Sequence, residues 1–497
     1  MEWLLIILLS ILGLLLFFKF RPKSYQSMLI DKQSAEQIAE QFIKRYVGVD
    51  VHNWKKYSMF WHDRDTVNKL HHMDLLNKNR QILYEWGLVE AWRIRFVSAH
   101  KSIIIGINAN QEVTFLQVDV KRQDIPKING EVQSPEHLLH SLNASTHGVW
   151  GNAFVTGNGK KEEDLNNTDL YWYTVESEEI RMKIAVEVQN GYLVSMGSAQ
   201  EILTDKMNVA VKKEYLESTL NLSGVLGSFV AVIAALIILI TQGGEVSLAY
   251  SLVMGCIMAA ISSLTAKEDI ELSIVNAYDS RISIKSVYLL GILSTALASL
   301  AAGFVVFIAS LAGNFISTKK SLYLFEQLEW QSAVGVCVGI VTLGVFGLFF
   351  YILEKKNWLK ISPELSDRTV YLSGFNLKQG LSVALQSSLA EETVYRLLAI
   401  PVIWWLSGNV YVAIGISSML WAFLHQGTGY QPRWIRWFQL FVFGWILGFV
   451  YVYYGFVSVL VAHFVHNFIL VSVPLFQYRY DKQRLHKQAK PQSIHNG

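Results

Sequence analysis

Long apolar runs separated by short polar segments fill most of the chain outside residues 20–220. Most of the runs have the length of roughly 20 residues that an α-helix needs to cross a bilayer. Nine can be delimited, at residues 3–18, 222–241, 246–266, 287–313, 331–354, 379–406, 409–427, 437–454 and 456–475. The pattern predicts a polytopic α-helical membrane protein of about nine spans, with a soluble α+β insert between the first and second spans.

The soluble insert has a different pattern. Apolar residues recur at helical spacing over residues 34–46, with Ser34 as the candidate N-cap. Residues 92–96 alternate between apolar and polar, and residues 103–107 and 113–118 flank Asn108-Ala109-Asn110-Gln111, a hairpin signal, so all three segments predict strands. A weaker similar pattern follows 80 residues later at 171–173, 184–188 and 192–196, the last two around an Asn190-Gly191 turn. We expect two related helix-plus-sheet units, which resemble peptidase-propeptide or cystatin-like modules by pattern only, or else an unrelated α+β domain.

These patterns divide the chain into five parts. They are an N-terminal membrane anchor helix (1–19), a soluble α+β domain (20–220), additional transmembrane helices (221–375), a helical region with polar motifs (376–475) and a basic tail expected to be disordered (476–497). We expect the first run to be a retained anchor rather than a signal peptide. Only Met1 and Glu2 precede it, without a basic residue, and no small-residue cleavage site follows.

Basic residues cluster in alternate loops, as the positive-inside rule describes. This set comprises Lys19, Arg21, Lys23, Lys206, Lys212, Lys213, Lys267, Arg281, Lys285, Lys355, Lys356, Lys360, Arg433, Arg436, Arg479, Lys482, Arg484, Lys487 and Lys490. The other loops contain only Lys319 and Lys320. With nine spans, this distribution predicts a multi-pass protein of the cell membrane whose soluble domain and C-terminal tail are cytosolic.

Composition excludes some classes of protein. Hydrophobic residues make up 52% of the chain and charged residues 17%, and the net charge of +3 gives no indication of a nucleic-acid partner. Both cysteines, Cys256 and Cys337, lie inside apolar runs, so the soluble part contains neither a disulfide framework nor a thiolate metal site.

Three polar motifs interrupt the later apolar runs. Glu391, Glu392 and Arg396 lie in the sixth run, Trp421 and His425 in the seventh, and His463 and Asn467 in the ninth. Ionisable side chains within a membrane are costly, so these residues are functional candidates.

Helical spacing assigns different environments to the two glutamates. Glu392 and Arg396 are i, i+4 neighbours and form an ion pair on one face. Glu391 points about 100° away and stays available to act on a water molecule. A carboxylate, two imidazoles and an amide suit peptide hydrolysis, either by proton abstraction and oxyanion stabilisation or around a metal ion that activates the water.

The ordered motifs EExxxR, aromatic-xxx-His and HxxxN resemble those of the CPBP family. This family includes the Rce-type CAAX prenyl endopeptidases and the bacteriocin-processing and immunity-associated Abi proteins. The resemblance covers roughly residues 375–475 and departs from the family at Trp421, where phenylalanine is usual. It implies an intramembrane metallo- or glutamate endopeptidase with a cytosol-facing site and a membrane-associated peptide or protein substrate. The carried-over catalytic residues are Glu391, Glu392, Arg396, His425, His463 and Asn467.

The resemblance leaves several roles open. It implies that Glu391 is the base and that the two histidines and Asn467 stabilise the transition state, or that Glu391, His425 and His463 bind zinc (Zn²⁺). His466 is an alternative to His463, and Glu392 with Arg396 is alternatively a structural ion pair. A non-proteolytic immunity or scaffold protein that retains the family fold is the alternative function. A transporter is disfavoured because internal repeats are not visible.

Overall fold

The computed structural model describes most of the chain. The described residues are 2–21, 30–63, 66–67, 69–70, 73, 75–76, 83, 87, 89–108, 111–120, 160–163, 169–176, 180–189, 192–202, 206–241, 248–320, 322, 324–361, 376–425 and 429–489. The predicted Asn190-Gly191 turn lies outside them.

The chain begins with α1 (Glu2–Phe20), which matches the first predicted span. The soluble insert begins with α2 (Lys32–Phe42), which continues as a π-helical segment, Ile43–Val47. Asp31 caps α2, because its carboxylate accepts a 2.8 Å hydrogen bond from the backbone N–H of Ser34. The prediction of Ser34 as N-cap is therefore wrong. Ser34 lies in the first turn, where its own N–H needs an acceptor.

Eight strands form the sheet of the soluble domain. Their bounds are β1 (Lys55–His62), β2 (Glu90–Ser98), β3 (Lys101–Ile107), β4 (Val113–Asp119), β5 (Lys160–Glu163), β6 (Asp169–Glu176), β7 (Ile180–Gln189) and β8 (Tyr192–Ile202). The sheet is antiparallel, in the order β1-β2-β3-β4-β8-β7-β6-β5. Each half is a meander, and the halves join where Leu116 pairs with Met196. The predicted strands are thus present within one continuous sheet.

Side chains alternate between the two faces of this sheet, as strand geometry requires. On β2, Trp92, Ile94 and Phe96 face α2 and the π-helical segment and form the core of the soluble domain. The next position, Val97, faces the opposite side of the sheet, where it joins a second apolar cluster. The sheet is therefore covered on both faces in this half.

Helices make up nearly all of the described chain after the sheet. They are α3 (Lys206–Thr241), α4 (Leu248–Ser263), α5 (Ala266–Ala277), α6 (Ile284–Lys319), α7 (Leu328–Lys355), α8 (Leu377–Glu392), α9 (Ile400–Ser407), α10 (Val410–Leu424), α11 (Trp434–Tyr454) and α12 (Phe456–Ala489). A π-helical segment, Thr393–Ala399, joins α8 to α9. The fold is that of a polytopic helical membrane protein with a soluble insert, as predicted.

Seven helical stretches of the described residues are long and apolar enough to cross a membrane. They are Glu2–Phe20, Ser218–Thr241, Leu248–Ala277, Ile284–Lys319, Leu328–Lys355, Trp434–Tyr454 and Phe456–Phe476. The sixth predicted span corresponds to the helix from α8 to α9, which contains the charged motif. The seventh corresponds to α10, which is shorter at 15 residues. The count of nine spans stays a prediction.

The expected disorder of the tail is partly wrong. Helix α12 continues to Ala489, well beyond its apolar part, which ends at Phe476. Residues 477–489 are rich in glutamine, lysine and arginine, which have high helix propensity and can extend a helix that is already nucleated.

Close packing of α7 against α12 positions the last polar motif. A Cβ atom at Gly335 would lie 2.6 Å from the carbonyl oxygen of Ser458, and one at Gly339 would lie 2.5 Å from that of Ala462. Small residues permit this approach between membrane helices. The side chain of Gln331 also accepts a 2.9 Å hydrogen bond from the N–H of Val457 at the start of α12. Both contacts hold the helix that carries His463 and Asn467.

The soluble domain docks on α5, a short helix between two membrane helices that the apolar runs did not predict. Tyr57, Val97 and Ile104 of the sheet pack against Ile270 and Ile274. At this contact Arg95 is buried. Its Nε donates a 3.0 Å hydrogen bond to the carbonyl oxygen of Val275, and its Nη1 donates one of 3.0 Å to Ser102. Burial lowers the pKa of Arg95 from its usual value.

Several of the basic loops lie at the end of the membrane helices where the soluble domain docks on α5. The nitrogen of Lys378 at the start of α8 donates a 3.3 Å hydrogen bond to Glu268 of α5. A short pairing of β9 (Lys360–Ile361) with β10 (Tyr430–Gln431) joins two further loops. The soluble domain and these loops therefore share one side. That this side is cytosolic stays a prediction.

Replacing Arg95 by methionine is expected to loosen the docking contact. The variant leaves the carbonyl of Val275 and the hydroxyl of Ser102 without their donor, a loss of about 1–3 kcal/mol for buried groups. Hydrogen–deuterium exchange of residues 266–277 in α5 should become faster. Arg281→Met is the matched control, since Arg281 is exposed and pairs only locally with Asp279. Unchanged exchange in Arg95→Met would contradict this docking contact.

Candidate active site

The charged motif lies where an α-helix changes into a π-helix. Helix α8 is capped by Asn376, which forms a reciprocal capping box with Gln379, and ends at Glu392. The π-helical turns begin at the next residue, Thr393. Such segments are frequent at functional sites, because the extra residue re-aims neighbouring side chains. Here they follow two adjacent glutamates that face different partners.

Glu392 lies at the centre of a fully buried ionic network. Its Oε1 accepts a 3.0 Å hydrogen bond from Nη1 of Arg396 and lies 2.6 Å from Nδ1 of His463. The exposed fractions of Glu392, Arg396 and His463 are 0%, 1% and 3%. The pair expected from the i, i+4 spacing is therefore present, and it includes the histidine of α12. A carboxylate acceptor makes Nδ1 a proton-bearing nitrogen.

Glu391 lies in a separate and more open environment. Its Oε2 accepts a 2.5 Å hydrogen bond from the indole Nε1 of Trp421 and lies 3.9 Å from Nε2 of His425. The side chains of Glu391 and His425 are 18% and 32% exposed. This is the environment expected for the carboxylate that acts on water, although the hydrogen bond from Trp421 was not predicted.

His425 follows the last residue of α10. Its Nδ1 lies 3.0 Å from the carbonyl oxygen of Trp421, one turn earlier, where a helix leaves carbonyl groups unpaired. Because a carbonyl only accepts, Nδ1 carries a proton. In the neutral ring Nε2 is then an acceptor, directed to the side of Glu391. The indole of Trp437 donates a 2.9 Å hydrogen bond to the carbonyl of His425 and supports this turn.

Asn467 faces α8, one turn before Glu391. Its Nδ2 donates a 3.0 Å hydrogen bond to the hydroxyl of Ser387. Sequence reasoning did not identify Ser387, although its position four residues before Glu391 places both on one helical face. The amide retains a second N–H.

His466 points elsewhere. Its Nδ1 lies 3.2 Å from the hydroxyl of Thr342 on α7, and its ring packs at 4.6 Å from that of Phe443. Of His463 and His466, His463 is the one bonded to the glutamate motif. This favours the predicted choice of His463 over His466.

Trp421 connects the two parts of the site. The guanidinium carbon of Arg396 lies 4.5 Å from the centre of the indole ring. The imidazole rings of His425 and His463 lie at 5.1 Å and 5.7 Å from it, edge to face. All six predicted catalytic residues therefore lie around one junction of α8, α10 and α12, with an aromatic side chain at its centre. Their catalytic roles stay predictions.

The predicted zinc ligands do not form a metal-binding set in this arrangement. Among the described residues, histidine, cysteine, aspartate and glutamate side chains form no group of three or more that could hold a metal ion. Nδ1 of His463 is bonded to Glu392, and Oε2 of Glu391 accepts from the indole of Trp421. Oε2 of Glu391 lies 3.9 Å from Nε2 of His425.

Comparison with known proteins identifies relatives for the helical region and for the whole chain. The family model described as "Type II CAAX prenyl endopeptidase Rce1-like" matches residues 373–469. The chain is 51% identical over 487 residues to the "Sporulation-killing factor biosynthesis protein SkfC" of Bacillus subtilis (strain 168), and the alignment covers 98% of each chain. No solved structure gives a match.

Proposed function

The chain belongs to the CPBP family of intramembrane proteases, and on this premise we propose that it is an endopeptidase which cleaves a membrane-associated peptide or protein. The site lies within the membrane and opens to the cytosol. The observation that carries the proposal is the 3.9 Å separation of Oε2 of Glu391 and Nε2 of His425. This distance is too long for a direct hydrogen bond and suits one bridging water molecule.

The water is oriented by both groups. One of its hydrogens is directed to the carboxylate of Glu391 and the other to Nε2 of His425, so an oxygen lone pair points at the scissile carbonyl. Glu391 takes the proton as the hydroxide attacks the carbonyl carbon. The protonated Glu391 then gives this proton to the leaving amine, which restores the carboxylate.

The oxyanion is stabilised from α12. Asn467 supplies the N–H that is not engaged by Ser387. His463 is held through Nδ1 by Glu392, which leaves Nε2 at the opposite side of the ring for the substrate. With a proton on each nitrogen, Nε2 donates to the developing negative charge. Such donors act strongly in a site of low dielectric constant.

This mechanism needs no step at a metal ion, in keeping with the donor arrangement. Zinc bound by Glu391, His425 and His463 stays a prediction from the family resemblance. Metal analysis of the purified protein tests it directly.

The name of the relative assigns that protein to the biosynthesis of a sporulation-killing factor. On this basis the proposed substrate of the present chain is a peptide made in the biosynthesis of such a factor. Comparative membrane peptidomics of wild-type cells and a Glu391→Ala strain is the test. A peptide that accumulates uncut only in the variant supports the proposal. In parallel, the purified protein in liposomes is assayed with an internally quenched peptide library.

His463 and His466, which both lie on α12, provide a matched pair of variants. We expect His463→Ala to lower kcat by about 10²–10³-fold, the usual loss for one oxyanion donor. His466→Ala should retain most activity, since His466 packs on Thr342 and Phe443. Thermal stability of both variants controls for folding. The reverse order of the two activities would reassign the working imidazole to His466.

The alternative is a non-proteolytic immunity or scaffold protein. The convergence of a base, two imidazoles and an amide on one junction disfavours it, because a binding role does not need all four. Full function of a Glu391→Gln/His463→Ala double variant in producing cells would support this alternative and reject the endopeptidase.

A further inference from the structure

We infer that Trp421 is a positioning residue for Glu391, and that its indole N–H orients the carboxylate for the reaction. The inference rests on the proposed function. It starts from the 2.5 Å hydrogen bond between Nε1 of Trp421 and Oε2 of Glu391. Phenylalanine, which is usual at this position in the family, has no N–H. The hydrogen bond to the carboxylate is therefore possible only in chains that have tryptophan here.

The indole is held on several sides. Trp421 is 1% exposed. Its ring lies under the guanidinium of Arg396 and also contacts Phe443 at a ring distance of 5.8 Å. A side chain that is already immobile loses little further entropy when it binds a second group. Its N–H therefore holds the carboxylate of Glu391 at low entropic cost.

Trp421 also keeps the environments of Glu391 and Glu392 separate. Arg396 bonds Glu392 through Nη1, while its Nη2 has no hydrogen-bond partner among the described residues. The adjacent carboxylate of Glu391 is a competing acceptor for this guanidinium. The face of the indole ring holds Arg396, and its edge holds Glu391 through the N–H. Glu391 is thus kept on the side of His425.

Orientation of the carboxylate matters for catalysis because proton abstraction needs a defined geometry. A displacement of about 1 Å at a reacting group can cost on the order of 100-fold in rate. Trp421 itself transfers no proton in this scheme and acts through the carboxylate of Glu391. Its loss should therefore lower kcat with little change in KM.

Two variants separate the N–H from the shape of the ring. Trp421→Phe removes the N–H and part of the ring. Site-specific Trp421→benzothienylalanine removes the N–H alone, because sulfur replaces nitrogen in a ring of nearly the same size. Trp405→Phe is the matched control, since Trp405 is 56% exposed on α9. Kinetics are measured in liposomes on the best-cleaved member of the quenched peptide library.

We expect both Trp421 variants to lose about 10- to 100-fold in kcat, with KM and thermal stability near those of the wild type. Wild-type kcat in the benzothienylalanine variant would overturn the inference and leave only a packing role for the ring. The proposed function would instead be refuted by two results together. The wild-type protein would cleave no library member, and no peptide would accumulate uncut in Glu391→Ala cells.

A second measurement does not depend on activity. In the NMR spectrum of protein labelled at tryptophan, the indole N–H signal that disappears in Trp421→Phe belongs to Trp421. A short hydrogen bond to a carboxylate should shift this signal downfield, and Glu391→Ala should move it alone back toward the other indole signals. An unchanged signal in Glu391→Ala would reject the hydrogen bond and the inference with it.

Discussion

Replacing Glu391 by glutamine is expected to lower kcat for peptide cleavage by about 10²–10⁴-fold, the range for loss of a general base. The amide keeps the size of the side chain and an oxygen that can accept from Trp421, but it cannot take a proton from water. The effect should therefore appear in kcat and not in substrate binding.

Glu326→Gln is the matched control for this variant. Glu326 is an exposed glutamate between α6 and α7, so the same chemical change there should leave activity intact. The measurement is steady-state cleavage of the quenched peptide in liposomes, with size-exclusion chromatography and thermal melting as checks of folding. Activity of Glu391→Gln within a factor of about two of the wild type would remove Glu391 from the role of base, since such a change is far below that of a lost base.

Replacing Arg396 by methionine is expected to have the largest effect on stability. It leaves Glu392 as a buried carboxylate with only the imidazole of His463 beside it. Removal of one partner from a buried ion pair costs about 3–5 kcal/mol, because the remaining charge has lost its compensation. The melting temperature of the detergent-solubilised protein should fall sharply, and activity should fall with it.

The double variant Glu392→Gln/Arg396→Met distinguishes charge from packing. It removes the buried carboxylate together with its guanidinium partner, so it should be more stable than Arg396→Met alone, although its His463 loses a charged acceptor. A double variant that is no more stable than Arg396→Met would show that Arg396 acts by filling space and by stacking on Trp421, rather than by compensating Glu392.

Local patterns predicted the elements of the fold because the forces behind them are local. Each apolar run has to satisfy its own backbone in lipid, which only a helix does within one segment. The hairpin signal at residues 108–111 likewise predicted β3 and β4, whose register pairs Ile103 with Val118. The helix α5 was missed because its twelve residues are mixed in polarity and become buried only when the sheet docks on them.

The candidate site could be predicted only in part. The spacing of Glu392 and Arg396 places them together on any helix, and their pair is present even though the chain becomes π-helical at Thr393. The hydrogen bond from Trp421 to Glu391 depends on the rotation of two helices about their axes. This rotation is set by packing between helices, so the spacing of residues along a single helix does not predict it.

The sequence by itself determined that the chain is a helical membrane protein with a soluble insert, and which ionisable residues interrupt its apolar runs. Hydrophobicity and residue spacing carry this information without regard to the rest of the fold. Tertiary structure alone decided that His463 rather than His466 bonds Glu392, that Glu391 faces His425, and that the indole of Trp421 donates to Glu391. These outcomes require atoms on α8, α10 and α12 to meet within hydrogen-bond distance, which depends on how the helices pack together.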